Sequence, residues 1–67
     1  MKKKFAYTNT NWFGLKDLTP FKRYEIIEWK NKNFFRILDD TGDMIFCRIN
    51  SCAHLGGDRW YLTNDLN

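Results

Sequence analysis

The sequence predicts an all-β fold: a small five-stranded barrel with a long first loop and one short 3-10 turn before the last strand. Three observations carry this. Short runs rich in β-branched and aromatic residues recur between turn residues. No stretch sustains the helical period of about 3.6 residues. A Gly-Gly pair closes the one segment, SCAHLGG, that reads as a helical turn.

The first strand is KFAY, within residues 3–7. TNTNWFGLKDLTP, residues 8–20, is polar and carries Gly14 and Pro20 as breakers, so it reads as a long loop. RYEIIEWK, 23–30, is the second strand, and NKN, 31–33, is a polar break. FFRILDD, 34–40, and MIFCRIN, 44–50, are the third and fourth. Between them DDTGD, 39–43, forms a turn, because Asp bonds to nearby backbone and Gly42 accepts a left-handed conformation. SCAHLGG, 51–57, gives one tight helical turn, with Ser51 as cap and Gly56-Gly57 at its end. RWYL, 59–62, is the last strand. One domain spans 1–67, with 1–4 and 63–67 expected as mobile ends. Five short strands closing on themselves remove most exposed edges, and this order is that of an SH3-like barrel.

A chain of 67 residues buries only a modest share of its surface, so its core must be dense or shared. Six Phe, three Tyr and three Trp supply that density. The net charge of +3 includes Lys2, Lys3 and Lys4 at the terminus, which leaves the body close to neutral. A dedicated nucleic-acid binder concentrates positive charge on one face, so nucleic acid is the less favoured partner. The basic start lacks the apolar run of a signal peptide, and no stretch is apolar enough to span a membrane. The expectation is a cytoplasmic protein with no membrane contact, in which a stable disulfide is not the default.

Both cysteines and the only histidine lie in CRINSCAHLGG, residues 47–57. A zinc site uses four ligands, often as two close pairs; here Cys47, Cys52, His54 and Asp58 lack the second pair and the usual spacing. Ile45, Cys47 and Ile49 alternate onto one apolar face, which makes Cys47 a core residue. A Cys52–His54 nucleophile pair lacks an orienting third group, and so small a barrel leaves little room for a substrate pocket. No catalytic residue, metal or cofactor is assigned. Cys52 and Leu55 plug the barrel end, and Gly56-Gly57 turns the chain into Trp60.

Strand alternation turns Tyr24, Ile26, Phe35, Ile37, Ile45, Cys47 and Ile49 inward. It turns Ile27, Trp29, Phe34, Arg36, Leu38, Met44, Phe46 and Arg48 outward, an unusually apolar outer face. Aromatics, Met and Arg are the residues enriched in interface cores. Three readings stay open: cover by Trp12, Phe13 and Leu15 of the long loop, a homodimer or partner interface, or single-stranded nucleic acid stacked on Trp12, Trp29 and Phe34 beside Arg36 and Arg48. The candidate partner-binding set is Ile27, Trp29, Phe34, Arg36, Phe46 and Arg48 with Trp12 and Phe13. Asp39, Asp40 and Asp43 form an acidic contact loop for a basic partner, or serve only the turn; they lack the distant Glu of an EF-hand loop.

The entry LTPFKRYEII, the central FFRILDDTGDMIF and the closing CAHLGGDRW, within residues 18–60, resemble small SH3-like proteins encoded by bacteriophages and prophages. The chain lacks the ALYDY-type motif and paired tryptophans of signalling SH3 domains, so the resemblance does not imply a PxxP groove. It implies a non-enzymatic accessory protein of infection, acting in the cytoplasm of the bacterial host. Such a protein would bind and inhibit a host protein, for example an antiviral-defence component. A single-stranded nucleic-acid module and an oligomeric small-ligand sponge are the alternatives.

Overall fold

The computed structural model describes residues 3–64, and within them all regular structure is β except for one 3-10 turn. The strands are β1 (Lys4–Tyr7), β2 (Tyr24–Glu25), β3 (Glu28–Asn31), β4 (Phe34–Leu38), β5 (Met44–Arg48) and β6 (Tyr61–Asn64). The 3-10 turn spans Ala53–Leu55. The ends expected to be mobile are residues 1–4 and 63–67. Lys4 pairs with Asn64 and Phe5 with Thr63, so these residues belong to strands. Residues 1–2 and 65–67 lie outside the described set.

The described strands form two three-stranded antiparallel sheets, β2–β1–β6 and β3–β4–β5, rather than one closed five-stranded barrel. The reason lies in RYEIIEWK, which breaks where the sequence reads as one strand. The Ile26 amide donates to Lys4 O at 2.9 Å, and the Ile27 amide donates to Arg36 O at 2.8 Å. Two adjacent residues thus hand the chain from one sheet to the other, and an apolar run hides the corner. On the far side, β6 pairs with β1, and one bond, from the Trp60 amide to Ile49 O at 2.8 Å, ties its approach to the end of β5.

Both sheets share one core. Tyr24, Phe35, Ile37 and Cys47 are buried as alternation predicts, and Ile26, Ile45 and Ile49 pack partly buried against them. Trp60 is fully buried at the centre. Its ring meets Tyr24 of the first sheet edge-on at 6.1 Å and Phe35 of the second at 5.9 Å. Such T-shaped pairs set the positive ring edge against the negative ring face.

SCAHLGG behaves as a plug. Cys52 and Leu55 are buried. Gly56 ends the turn at φ +66°, and its amide bonds Ala53 O at 3.2 Å. The cap differs from expectation: Cys52 occupies the N-cap without a side-chain bond, and Ser51 sits just outside at φ +55°.

Residues 8–20 are a loop, yet a partly buried one. Thr8 and Thr10 are buried although they open the segment as part of its polar TNTN run. Thr8 Oγ1 accepts from the Thr10 amide at 3.1 Å and donates to Arg59 O at 3.3 Å. Thr10 Oγ1 accepts from the Trp12 amide and donates to Asp58. Threonine hydroxyls satisfy backbone groups that a strand would pair in a ladder.

Candidate functional site

Two outer faces carry aromatic and arginine side chains. The face of β3–β4–β5 follows from register. Phe34 pairs with Arg48, Arg36 with Phe46, and Leu38 with Met44, so these six share the side opposite Phe35, Ile37 and Cys47. Phe34 and Phe46 stack with centroids 5.2 Å apart and planes 11° apart. The Arg36 guanidinium lies 5.8 Å from the Phe46 ring and that of Arg48 lies 5.9 Å from Phe34. Arg36 also meets Glu28 at 3.3 Å, an exposed pair that solvent screens. Leu38, Met44 and Phe46 are 43%, 50% and 46% exposed. The long loop leaves this face open.

The loop packs elsewhere. The Trp12 ring lies against Gly14 and Gly56, where a Cβ on either glycine would collide with it. Trp12 is therefore a packing residue at the plug, apart from the Phe34–Phe46 stack. Phe13 is 99% exposed and touches neither. Ile27 is exposed at the corner between the sheets. Trp29 changes sides. Its register partner is Phe35, and the two rings lie 5.5 Å apart. It stands at the rim of the inner face, because the corner at Ile26–Ile27 resets the alternation that a continuous strand would keep.

The acidic loop is mostly committed to the fold. Asp39 Oδ1 accepts from the Thr41 amide, the Thr41 hydroxyl and the Asp43 amide at 2.6–3.0 Å. The Thr41 hydroxyl bond is the main reason its carboxyl sits below the usual value of 3.8. Asp40 pins the long loop: its carboxylate accepts from Lys22 Nζ at 2.7 Å, Thr19 Oγ1 at 2.8 Å and Tyr24 Oη at 2.9 Å. The Lys22 bond, then that of Thr19, holds its carboxyl below the ordinary range. Tyr24 Oη accepts in turn from the Thr19 amide. Burial pushes the Tyr24 phenol above its usual 10. Asp43 alone of the three makes no side-chain bond among the described residues.

Cys47 and Cys52 are free thiols, both buried. The Cys47 thiol leans on Cys52, which also faces the Trp60 indole N–H and the backbone of Arg48 and His54. These donors lower the Cys52 thiol, while the Cys52 contact and burial push Cys47 up. Trp60 Nε1 is buried with no hydrogen-bond partner among the described residues. Among the described residues, no three His, Cys, Asp or Glu side chains gather as a metal site. No helix among them is long and apolar enough to cross a membrane.

The second face, on β2–β1–β6, is absent from the sequence reading. Tyr7 stacks on Tyr61 at 5.5 Å and on Phe21 at 6.5 Å, and Arg59 lies 4.9 Å from the Tyr61 ring. A groove of about 370 Å³ is lined by Tyr7, Phe21, Arg23 and Thr63. Alternation within RWYL and KFAY hints at outward tyrosines; only the pairing of Tyr7 with Tyr61 joins them.

Compared with known proteins, the chain matches no family model, no curated protein and no solved structure.

Proposed function

We propose that this protein is a binding module whose β3–β4–β5 outer face docks on a protein partner and blocks it. One observation carries the reading: exposed Phe46, Leu38 and Met44 and half-buried Phe34 share one outer face with Arg36 and Arg48. A contiguous exposed apolar patch on a small protein marks a contact site, and buried aromatics with Arg are the usual anchors. Asp43 supplies acidic complementarity at the end of the hairpin. Binding rather than catalysis is favoured because both thiols are shut away from solvent, where no substrate meets them.

The finer reading rests on the resemblance within residues 18–60. It makes the fold an SH3-like barrel and the protein a phage or prophage accessory factor. The partner is then a bacterial host protein, such as an antiviral-defence component, met in the host cytoplasm. Two small sheets around one core with a corner at Ile26–Ile27 are compatible with that architecture.

Affinity capture from nuclease-treated bacterial lysate tests the reading, with wild type beside Arg36→Glu. A protein retained by wild type and lost by the variant is the expected result. Identical capture by both removes the face from the account. A second copy of this chain as the main occupant would appear as a dimer mass in size-exclusion light scattering.

A further inference from the structure

We propose that the outer face of β2–β1–β6 is a second site, independent of the first, that binds single-stranded nucleic acid by stacking bases on Phe21, Tyr7 and Tyr61 between the cations of Arg23 and Arg59.

Four observations converge. The three rings form a row of nearly parallel planes: Tyr7 is tilted 24° from Tyr61 and 25° from Phe21. A row of parallel faces suits bases, which stack on aromatic side chains whatever their sequence. The 6.5 Å separation of Tyr7 and Phe21 lies at the loose end of direct ring pairs, and the groove opens at this pair.

The charge fits phosphate. Arg23 lines the groove and Arg59 lies over Tyr61, and among the described residues neither has a carboxylate partner. Glu25, placed on this face by its pairing with Phe5, lies 4.0 Å from Lys3. Phe21 is exposed while Tyr7 and Tyr61 are half-buried, and arginines beside such rings supply both phosphate contacts and guanidinium stacking.

The two faces also differ in chemistry. The β3–β4–β5 face adds Leu38 and Met44 to its aromatics, as a protein interface does. On β2–β1–β6 the register places Phe5, Tyr7, Tyr61 and Thr63 together with no aliphatic side chain among them.

Phe21 is held out against local preference. The Lys22 amide bonds Thr19 O at 3.2 Å, closing a turn with Pro20 second and Phe21 third. Phe21 has φ +68°, a value that turns of this kind reserve for Gly or Asn at that position. Its amide is clipped to Thr8 O at 2.8 Å, and its ring is 69% exposed. A bulky residue is thus kept in a glycine conformation while burying little of its ring. Strained residues of this sort cluster at ligand clamps.

The test is fluorescence anisotropy with a labelled single-stranded oligo-dT, read against salt. Wild type should bind, with log affinity falling against log salt at a slope of about −1.4 for two phosphate contacts on a single strand. Phe21→Gly is the decisive variant. Glycine suits the turn, so thermal stability should hold, while binding should fall about 5- to 150-fold for one lost stacking contact. Arg23→Gln with Arg59→Gln should flatten the salt slope, and Lys32→Ala in the β3–β4 turn should change neither quantity. The proposal is overturned if wild type does not bind the oligonucleotide, or if Phe21→Gly binds as well as wild type. Free thymidine monophosphate competing as strongly as the strand would overturn it in favour of a mononucleotide site.

Discussion

The two outer faces of this protein are built from similar residues by different routes. On β3–β4–β5, neighbouring strands joined by a short turn bring Phe34, Arg36, Phe46 and Arg48 together. On β2–β1–β6, the row draws on Tyr7, Phe21 and Tyr61, from the first strand, a loop turn and the last strand. The first surface depends on a hairpin. The second depends on the whole chain, and above all on the loop that holds Phe21. Perturbations that leave one face standing should therefore dismantle the other.

The largest effect is expected where the faces share support. Trp60→Ala removes the ring between Tyr24 and Phe35 and should cost about 3–5 kcal/mol, a large part of the stability of so small a domain. Denaturant unfolding would show it as a sharp drop in midpoint, with loss of both binding activities. Gly56→Ala comes next. Its φ of +66° disfavours a side chain, and the new methyl meets the Trp12 ring. About 1–3 kcal/mol of destabilisation is expected from the combined backbone and steric penalties, read in the same unfolding experiment.

Asp40→Asn separates the faces. It weakens the anchor that joins Lys22, Thr19 and Tyr24 to the β4–β5 turn. The cost should be about 1 kcal/mol, since the group is partly solvated. Oligonucleotide binding should suffer, because the anchor borders Phe21, while protein capture should persist. The pH dependence has a definite sign. The folded carboxyl lies below its ordinary 3.8, so its contribution is present above about pH 4 and disappears as pH falls through the folded value. Melting curves of wild type and Asp40→Asn should converge in acid. Tyr24 works in the other direction: its phenol is raised above 10 mainly by burial, so its contribution is full below that pH and lost as pH rises through the folded value.

Phe46→Asp and Phe21→Gly, at exposed sites, come last. Phe46→Asp gives up the stack on Phe34 and should cost about 1 kcal/mol in unfolding while leaving the core intact. Each variant is expected to lose one binding activity and keep the other.

The sequence makes the hairpin face legible for a physical reason. In FFRIL and MIFCR a period of two sorts side chains to opposite sides, and DDTGD fixes the turn between them. SCAHLGG is legible because Gly56 must adopt a conformation that other residues avoid. Trp29 fails because alternation is local: the corner at Ile26–Ile27 changes hydrogen-bond partners without any polar or glycine signal. Thr8 and Thr10 fail because hydroxyl bonds to backbone make a polar residue compatible with burial. The second face fails because the pairing of Tyr7 with Tyr61 joins the first and last strands, and no local pattern encodes that contact. Phe21 does leave one trace, a bulky apolar residue directly after Pro20 and before Lys22-Arg23.

The independence of the two faces is the central claim, and one side-by-side capture tests it. Wild type, Phe46→Asp and Phe21→Gly are immobilised and exposed to bacterial lysate with and without nuclease, and retained protein and nucleic acid are both measured. The account predicts that Phe46→Asp loses a nuclease-resistant protein partner and keeps nucleic acid, while Phe21→Gly does the reverse. Loss of the same material by both variants would contradict it.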